Sequence, residues 1–98
     1  MINVRISAND IEIKGHAGYD KSGFDIVCAS VSTAATMCIN QIELFERLDL
    51  IDYQIRDGYL KLHIVKSDEV LEKIIQNLVY TLSDLENQYP HYINVREF

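Results

Sequence analysis

The stretch GHAGYDKSGFDIVCASVS, residues 15–32, gathers three of the chain's four glycines, one of its three histidines and one of its two cysteines. Brought together, His16 and Cys28 could carry out nucleophilic catalysis: the imidazole takes the thiol proton, the thiolate attacks a carbonyl, and the imidazolium returns the proton to the leaving group. If Cys28 opens a helix, unpaired backbone N–H groups and the positive end of the helix dipole favour its thiolate. The same N–H groups are then expected to bind the oxyanion of a tetrahedral intermediate. Asp25 fits two roles, as N-cap accepting from the N–H of residue 27 or 28, or as a third catalytic member orienting His16. Ser32, one helical turn beyond Cys28, either bonds a backbone carbonyl and helps hold the site or is a small residue that allows close packing.

Spacing alone carries this chemistry weakly, because buried cysteine is a common small hydrophobe and a histidine at a strand end is often only solvated. Competing chemistries are weaker still. A metal held by His16, Cys28 and Asp20 or Asp25 lacks the paired short spacings of structural zinc, so no metal and no cofactor is expected. A phosphate cradle would need a G-K-[ST] ending that GHAGYDKSG does not have, and the flanking aspartates would repel the ligand. His63 and His91 have no cysteine or glycine context and read as surface or interface residues.

Elements that could position the site follow from periodicity. Ile2, Val4 and Ile6, then Ile11 and Ile13, alternate with polar residues and predict two strands in a hairpin. From about Asp25 to Leu48, the positions Val31, Ala34, Ala35, Cys38, Ile42, Phe45 and Leu48 form the apolar stripe of a helix. Ile51, Tyr53 and Ile55, the turn pair Asp57-Gly58, and Leu60, Leu62 and Ile64 predict a second hairpin. Ser67 is placed to cap a second helix with the stripe Val70, Leu71, Ile74, Ile75, Leu78, Leu82 and Leu85, ending before Pro90. Ile93 and Val95 predict a last short strand. The order ββαββαβ implies an α+β, two-layer sandwich: a mostly antiparallel sheet with two helices on one face. The opposite sheet face, with Tyr59, His63 and Val65, is either wet or covered by a second copy of the chain.

Composition bounds what such a domain does. Ninety-eight residues, 48% of them hydrophobic, with a single proline, suit one globular domain over residues 1–98 with its own core. No membrane span and no signal peptide is expected, which makes a cytoplasmic location the default. Cys28 and Cys38 on one helix would lie roughly 15 Å apart, too far for a disulfide. Cys38 falls on the apolar stripe and is expected to be inert. A net charge of −6 argues against direct nucleic-acid binding and is compatible with a basic partner or with solubility alone.

Gly15-His16-Ala17-Gly18, a short loop with Gly23, then Asp25-Ile26-Val27-Cys28-Ala29 and Ser32 closely resemble the signature of the bacterial ribosomal-processing cysteine protease family, Prp. The element order and chain length are similar to that family as well. The resemblance implies an endopeptidase that removes a short N-terminal extension from the large-subunit ribosomal protein L-twenty-seven. It implies a catalytic dyad at His16 and Cys28, cleavage after a pair of aromatic residues, a hydrophobic cleft beside Cys28, and a homodimer. On this reading residues 17–24 form a mobile flap with Gly15, Gly18 and Gly23 as its hinges, closing over an extended peptide to bring His16 and Cys28 together. The alternative is a non-catalytic dimeric module that binds a basic ribosomal protein or assembly factor; faster alkylation of Cys28 than of Cys38 would separate the two.

Overall fold

The computed structural model describes all 98 residues. Alternating apolar residues form β1 (Ile2–Ile6) and β2 (Asp10–Lys14), which pair antiparallel with Val4 opposite Ile13. The long helix α1 (Ile26–Leu44) leads through one 3-10 turn at Leu48–Leu50 into the hairpin β3 (Ile51–Arg56) and β4 (Tyr59–Ile64). Helix α2 (Glu69–Gln88) and β5 (Ile93–Glu97) complete the order ββαββαβ. The five strands lie in the order β3-β4-β2-β1-β5. Only the β1–β5 pair is parallel. Both helices cover one face, giving the α+β two-layer sandwich that the alternation predicts.

The core lies between the layers. Ile2, Val4, Ile11, Leu60, Leu62 and Ile93 from the sheet meet Val27, Ile42, Leu71 and Leu82 from the helices, each at most 2% exposed. Burying a side chain of this size contributes about 1.5–3 kcal/mol, so this layer holds both helices in register with the sheet. The outer sheet face is polar. His63 Nδ1 lies 2.9 Å from Asp10 Oδ1, and the Arg56 guanidinium stacks 4.1 Å above the Tyr59 ring.

Three expectations shift at helix ends. Helix α1 stops at Leu44 rather than Leu48, and Phe45, assigned to the core stripe, is 54% exposed. Glu46 adopts φ +60° there, while Glu46 N–H donates to Glu43 O and Arg47 N–H to Ile42 O. This is a Schellman closure without the usual glycine, and it turns the chain before Phe45 can face the sheet. The cap of α2 is Asp68 rather than Ser67: its Oδ1 accepts the Leu71 N–H at 2.8 Å. Its other oxygen takes Arg47 Nε at 2.8 Å, tying the start of α2 to the end of α1. The Leu71 N–H, the partly offsetting desolvation and Arg47 together hold the Asp68 carboxyl below the usual carboxylate value.

Candidate active site

Helix α1 begins where it does because Asp25 caps it. Asp25 Oδ1 accepts the N–H groups of Val27 at 3.0 Å and Cys28 at 2.9 Å. Its Oδ2 accepts those of Tyr19 at 3.0 Å and Asp20 at 3.4 Å. One carboxylate therefore closes the helix and fastens the glycine-rich loop to it. Desolvation pushes this carboxyl up, but the N–H groups of Cys28, Asp20 and Tyr19, with a smaller contribution from the Cys28 thiol, outweigh it and hold the group below its ordinary value of 3.8. Neither oxygen bonds the His16 imidazole.

The cap matches the reading of Asp25 as an acceptor for residue 27 or 28, and it leaves the helix-start amides of Val27 and Cys28 engaged rather than open to an oxyanion. The donor that reaches the sulfur comes from the loop instead: Ala17 N–H lies 3.1 Å from Cys28 Sγ. Ala17 is 4% exposed and Cys28 half-buried, so the bond is part-buried at the edge of the cleft.

His16 follows β2, and its place depends on two glycines. Gly15 takes φ +108° and donates its N–H to Gly58 O at 2.9 Å; a Cβ on it would stand 2.6 Å from Met1 O. No other residue fits there without displacing backbone. The His16 ring lies over Gly58, where an added Cβ would come within 2.7 Å of Nε2. His16 is exposed and Cys28 half-buried, and both line the same two adjoining cavities. In this arrangement the imidazole and the thiol are not hydrogen-bonded to each other.

The first cavity, about 220 Å³, runs from Cys28 between α1 and the β3–β4 hairpin. Its walls are largely apolar, with Val31 and Ala35 on the helix facing Ile55 and Leu60 on the strands, and Asp57 and Gly58 at the hairpin tip. Tyr53 and Ile55 point to the helix side of the edge strand β3, yet α1 leaves them 41% and 46% exposed. An apolar floor with an uncovered edge strand suits an extended peptide carrying apolar side chains. The second cavity, about 570 Å³, is polar and lies under the loop, between Asp20, Ser22 and Asp25 on one side and Asp57 on the other.

Other predicted residues fall into place around these. Ser32 lines both cavities, and its hydroxyl bonds no protein group, whereas the nearby Ser30 hydroxyl donates to Ile26 O at 2.7 Å. Gly18 and Gly23 adopt positive φ in open space, while the Tyr19 ring packs edge-on against Tyr89 and Tyr92, with centroids 5.7 and 5.1 Å away. Cys38 is 3% exposed in the core, and burial pushes its thiol up to about 11. Sequence reasoning missed Ala17, Asp57 and Gly58 as site residues. Asp57-Gly58 was legible only as a hairpin turn, because the β2–β4 pairing that carries it to His16 joins segments far apart in the chain.

Comparison with known proteins adds an independent line. A family model described as cysteine protease Prp matches residues 1–94. Ribosomal processing cysteine proteases Prp from two Staphylococcus aureus strains, Mu50 and NCTC 8325, are each 31% identical to this chain, covering 91% of it and 92% of their own length. Among solved structures, the S. aureus protease Prp with a covalently linked product peptide superposes with a TM-score of 0.91 at 25% identity, covering 100% of both chains. A Streptococcus mutans protein superposes with a TM-score of 0.77 at 25% identity, covering 99% of this chain and 91% of its own.

Proposed function

The chain belongs to the Prp family of ribosomal processing cysteine proteases, and on that premise we propose that it removes the N-terminal extension of ribosomal protein L-twenty-seven with a dyad of Cys28 and His16. The observation that carries the assignment is the shared cavity wall: an exposed imidazole and a half-buried thiol border one apolar cleft, while Cys38 is sealed in the core. His16 takes the proton from Cys28. The thiolate then adds to the scissile carbonyl carbon, the C–N bond breaks, and the imidazolium hands its proton to the departing amine. Water hydrolyses the resulting thioester with His16 again as base.

The substrate side rests on the same cleft. Val31, Ala35, Ile55 and Leu60 offer apolar contact to the residues preceding the cut, which matches an extension ending in an aromatic pair. That an S. aureus relative has been solved with a covalently linked product peptide supports a peptide substrate. Asp25 and Ser32 act in support, the first by fixing the helix start and loop, the second by a hydroxyl turned to the site. Residues 18–24 move as a flap on Gly18 and Gly23, whereas Ala17, expected from sequence to move with them, is packed in the core and stays behind. Gly15, wedged against Met1, anchors its root.

We place the activity in the cytoplasm and in a homodimer. The helix layer supports the second point, since Met37, Leu44 and Phe45 of α1 and the turn after it are each more than half exposed, whereas the outer sheet face is polar. Sedimentation would read the dimer directly. The function is tested by incubating the protein with L-twenty-seven from its own genome and measuring intact mass. A single cut releasing the N-terminal extension is expected from the wild type and none from His16→Ala or Cys28→Ala; an uncut substrate would refute the assignment.

A further inference from the structure

Two observations made above meet at the sulfur of Cys28. Of the N–H groups at the start of α1, those of Val27 and Cys28 are held by the Asp25 carboxylate at 3.0 and 2.9 Å. One other backbone amide reaches the reacting atom, that of Ala17, 3.1 Å from Sγ and buried with its residue. We infer that the backbone N–H of Ala17 is the oxyanion donor of this enzyme, which makes Ala17 a catalytic residue through its main chain alone.

The geometry of addition explains the transfer. When the Cys28 thiolate attacks, a C–S bond forms and the carbonyl π electrons move to oxygen, leaving an oxyanion two bonds from Sγ. A donor already within hydrogen-bond reach of the sulfur needs only a small shift to serve that oxygen. As the intermediate collapses, the C=O bond re-forms, the leaving group departs, and the N–H is released to the sulfur again. The donor sits on a buried residue in a part-buried bond, and a peptide filling the cleft would exclude the remaining water, the condition under which one such hydrogen bond counts most. Ala17 also follows His16 directly. The backbone that places the base therefore places the oxyanion donor beside it, between the fixed Gly15 and the hinge at Gly18.

The inference rests on Cys28 being the nucleophile, so the test separates the two. Replacing the peptide bond between His16 and Ala17 by an ester, with lactic acid at position 17, deletes the N–H and keeps the side chain. Two reactions at Cys28 are then compared in wild type and ester variant: acylation by a p-nitrophenyl ester, which passes through an oxyanion, and alkylation by iodoacetamide, which does not. Acylation is expected to fall by about 10²-fold or more, and alkylation by less than about tenfold, the share owed to the donor's contact with sulfur. A parallel fall in both would show that Ala17 serves only the sulfur and would overturn the inference. Equal acylation with and without the N–H would do the same. Failure of the nucleophile assignment has its own signature, since Cys28→Ala would then still be acylated. Failure of the substrate assignment leaves acylation intact while L-twenty-seven stays uncut.

Discussion

The two helices begin alike and are used differently. Each has an aspartate cap whose Oδ1 accepts the N–H of the third helical residue, Cys28 at 2.9 Å in α1 and Leu71 at 2.8 Å in α2. In α2 that residue is fully buried, and the second carboxylate oxygen takes Arg47, joining one helix to the other. In α1 the equivalent residue is a half-buried thiol on a cleft, and the second oxygen holds the amides of Tyr19 and Asp20. The same local motif thus serves packing in one place and, under the proposed dyad, chemistry in the other. What separates them is the layer beneath: α2 lies on a closed core, whereas the first turns of α1 stand beside the gap left by β3 and β4.

Substituting the third residue of each helix should break the likeness most sharply. Cys28→Ala deletes the proposed nucleophile and is expected to lower kcat/KM by about 10⁴-fold or more, read by substrate mass, with the thermal midpoint almost unchanged. Leu71→Ala is expected to do the reverse. Loss of a fully buried leucine costs about 2–5 kcal/mol in chemical denaturation, while turnover per folded molecule stays near wild type. A Leu71→Ala protein that is stable but inactive would dissolve the contrast.

Removing the caps should have smaller and unequal effects. Asp25→Ala and Asp68→Ala each lose a helix cap and are expected to lower the melting temperature by several degrees. Only Asp25→Ala should also lower turnover, by roughly tenfold, because it frees the loop that carries His16 and Ala17. Acid distinguishes the caps from the rest of the fold. Both carboxyls are held below 3.8 in the folded chain, so their stabilisation is complete above that value and is lost as the pH falls through the lower folded values. Melting temperature measured downward from pH 5 should therefore fall more steeply for the wild type than for a protein carrying both Asp25→Asn and Asp68→Asn.

The far end of α1 offers the mildest change. Glu46 holds φ +60° at a position where glycine is the usual choice, and Glu46→Gly is expected to add roughly 0.5–1 kcal/mol of stability with no change in turnover. That residue also shows where sequence reading fails. Alternation and the three- and four-residue stripes gave every element and their order, because each strand and helix has one face on the core. The end of α1 was misplaced because no glycine announces a left-handed turn there, and the cap of α2 because serine and aspartate stand side by side and only Asp68 can also reach Arg47. Within the proposed site, His16, Asp25, Cys28 and Ser32 stand in one short segment, where residue type suggests their chemistry weakly and the resemblance to the Prp signature singles them out. Gly58 was not legible, since its role depends on a strand pairing between distant segments. Nor was Ala17, whose contribution is a main-chain N–H that any residue but proline would supply.

The most direct test of the central claim, that a thiol at a helix start attacks the peptide, is to trap the covalent intermediate. Enzyme mixed with a peptide spanning the N-terminal extension would be quenched in acid within the first turnover and its intact mass taken. The expected species is enzyme plus the fragment preceding the cut, with the added mass mapped to Cys28 and absent from Cys28→Ala. An adduct on Cys38, or cleavage that proceeds in Cys28→Ala, would contradict the account.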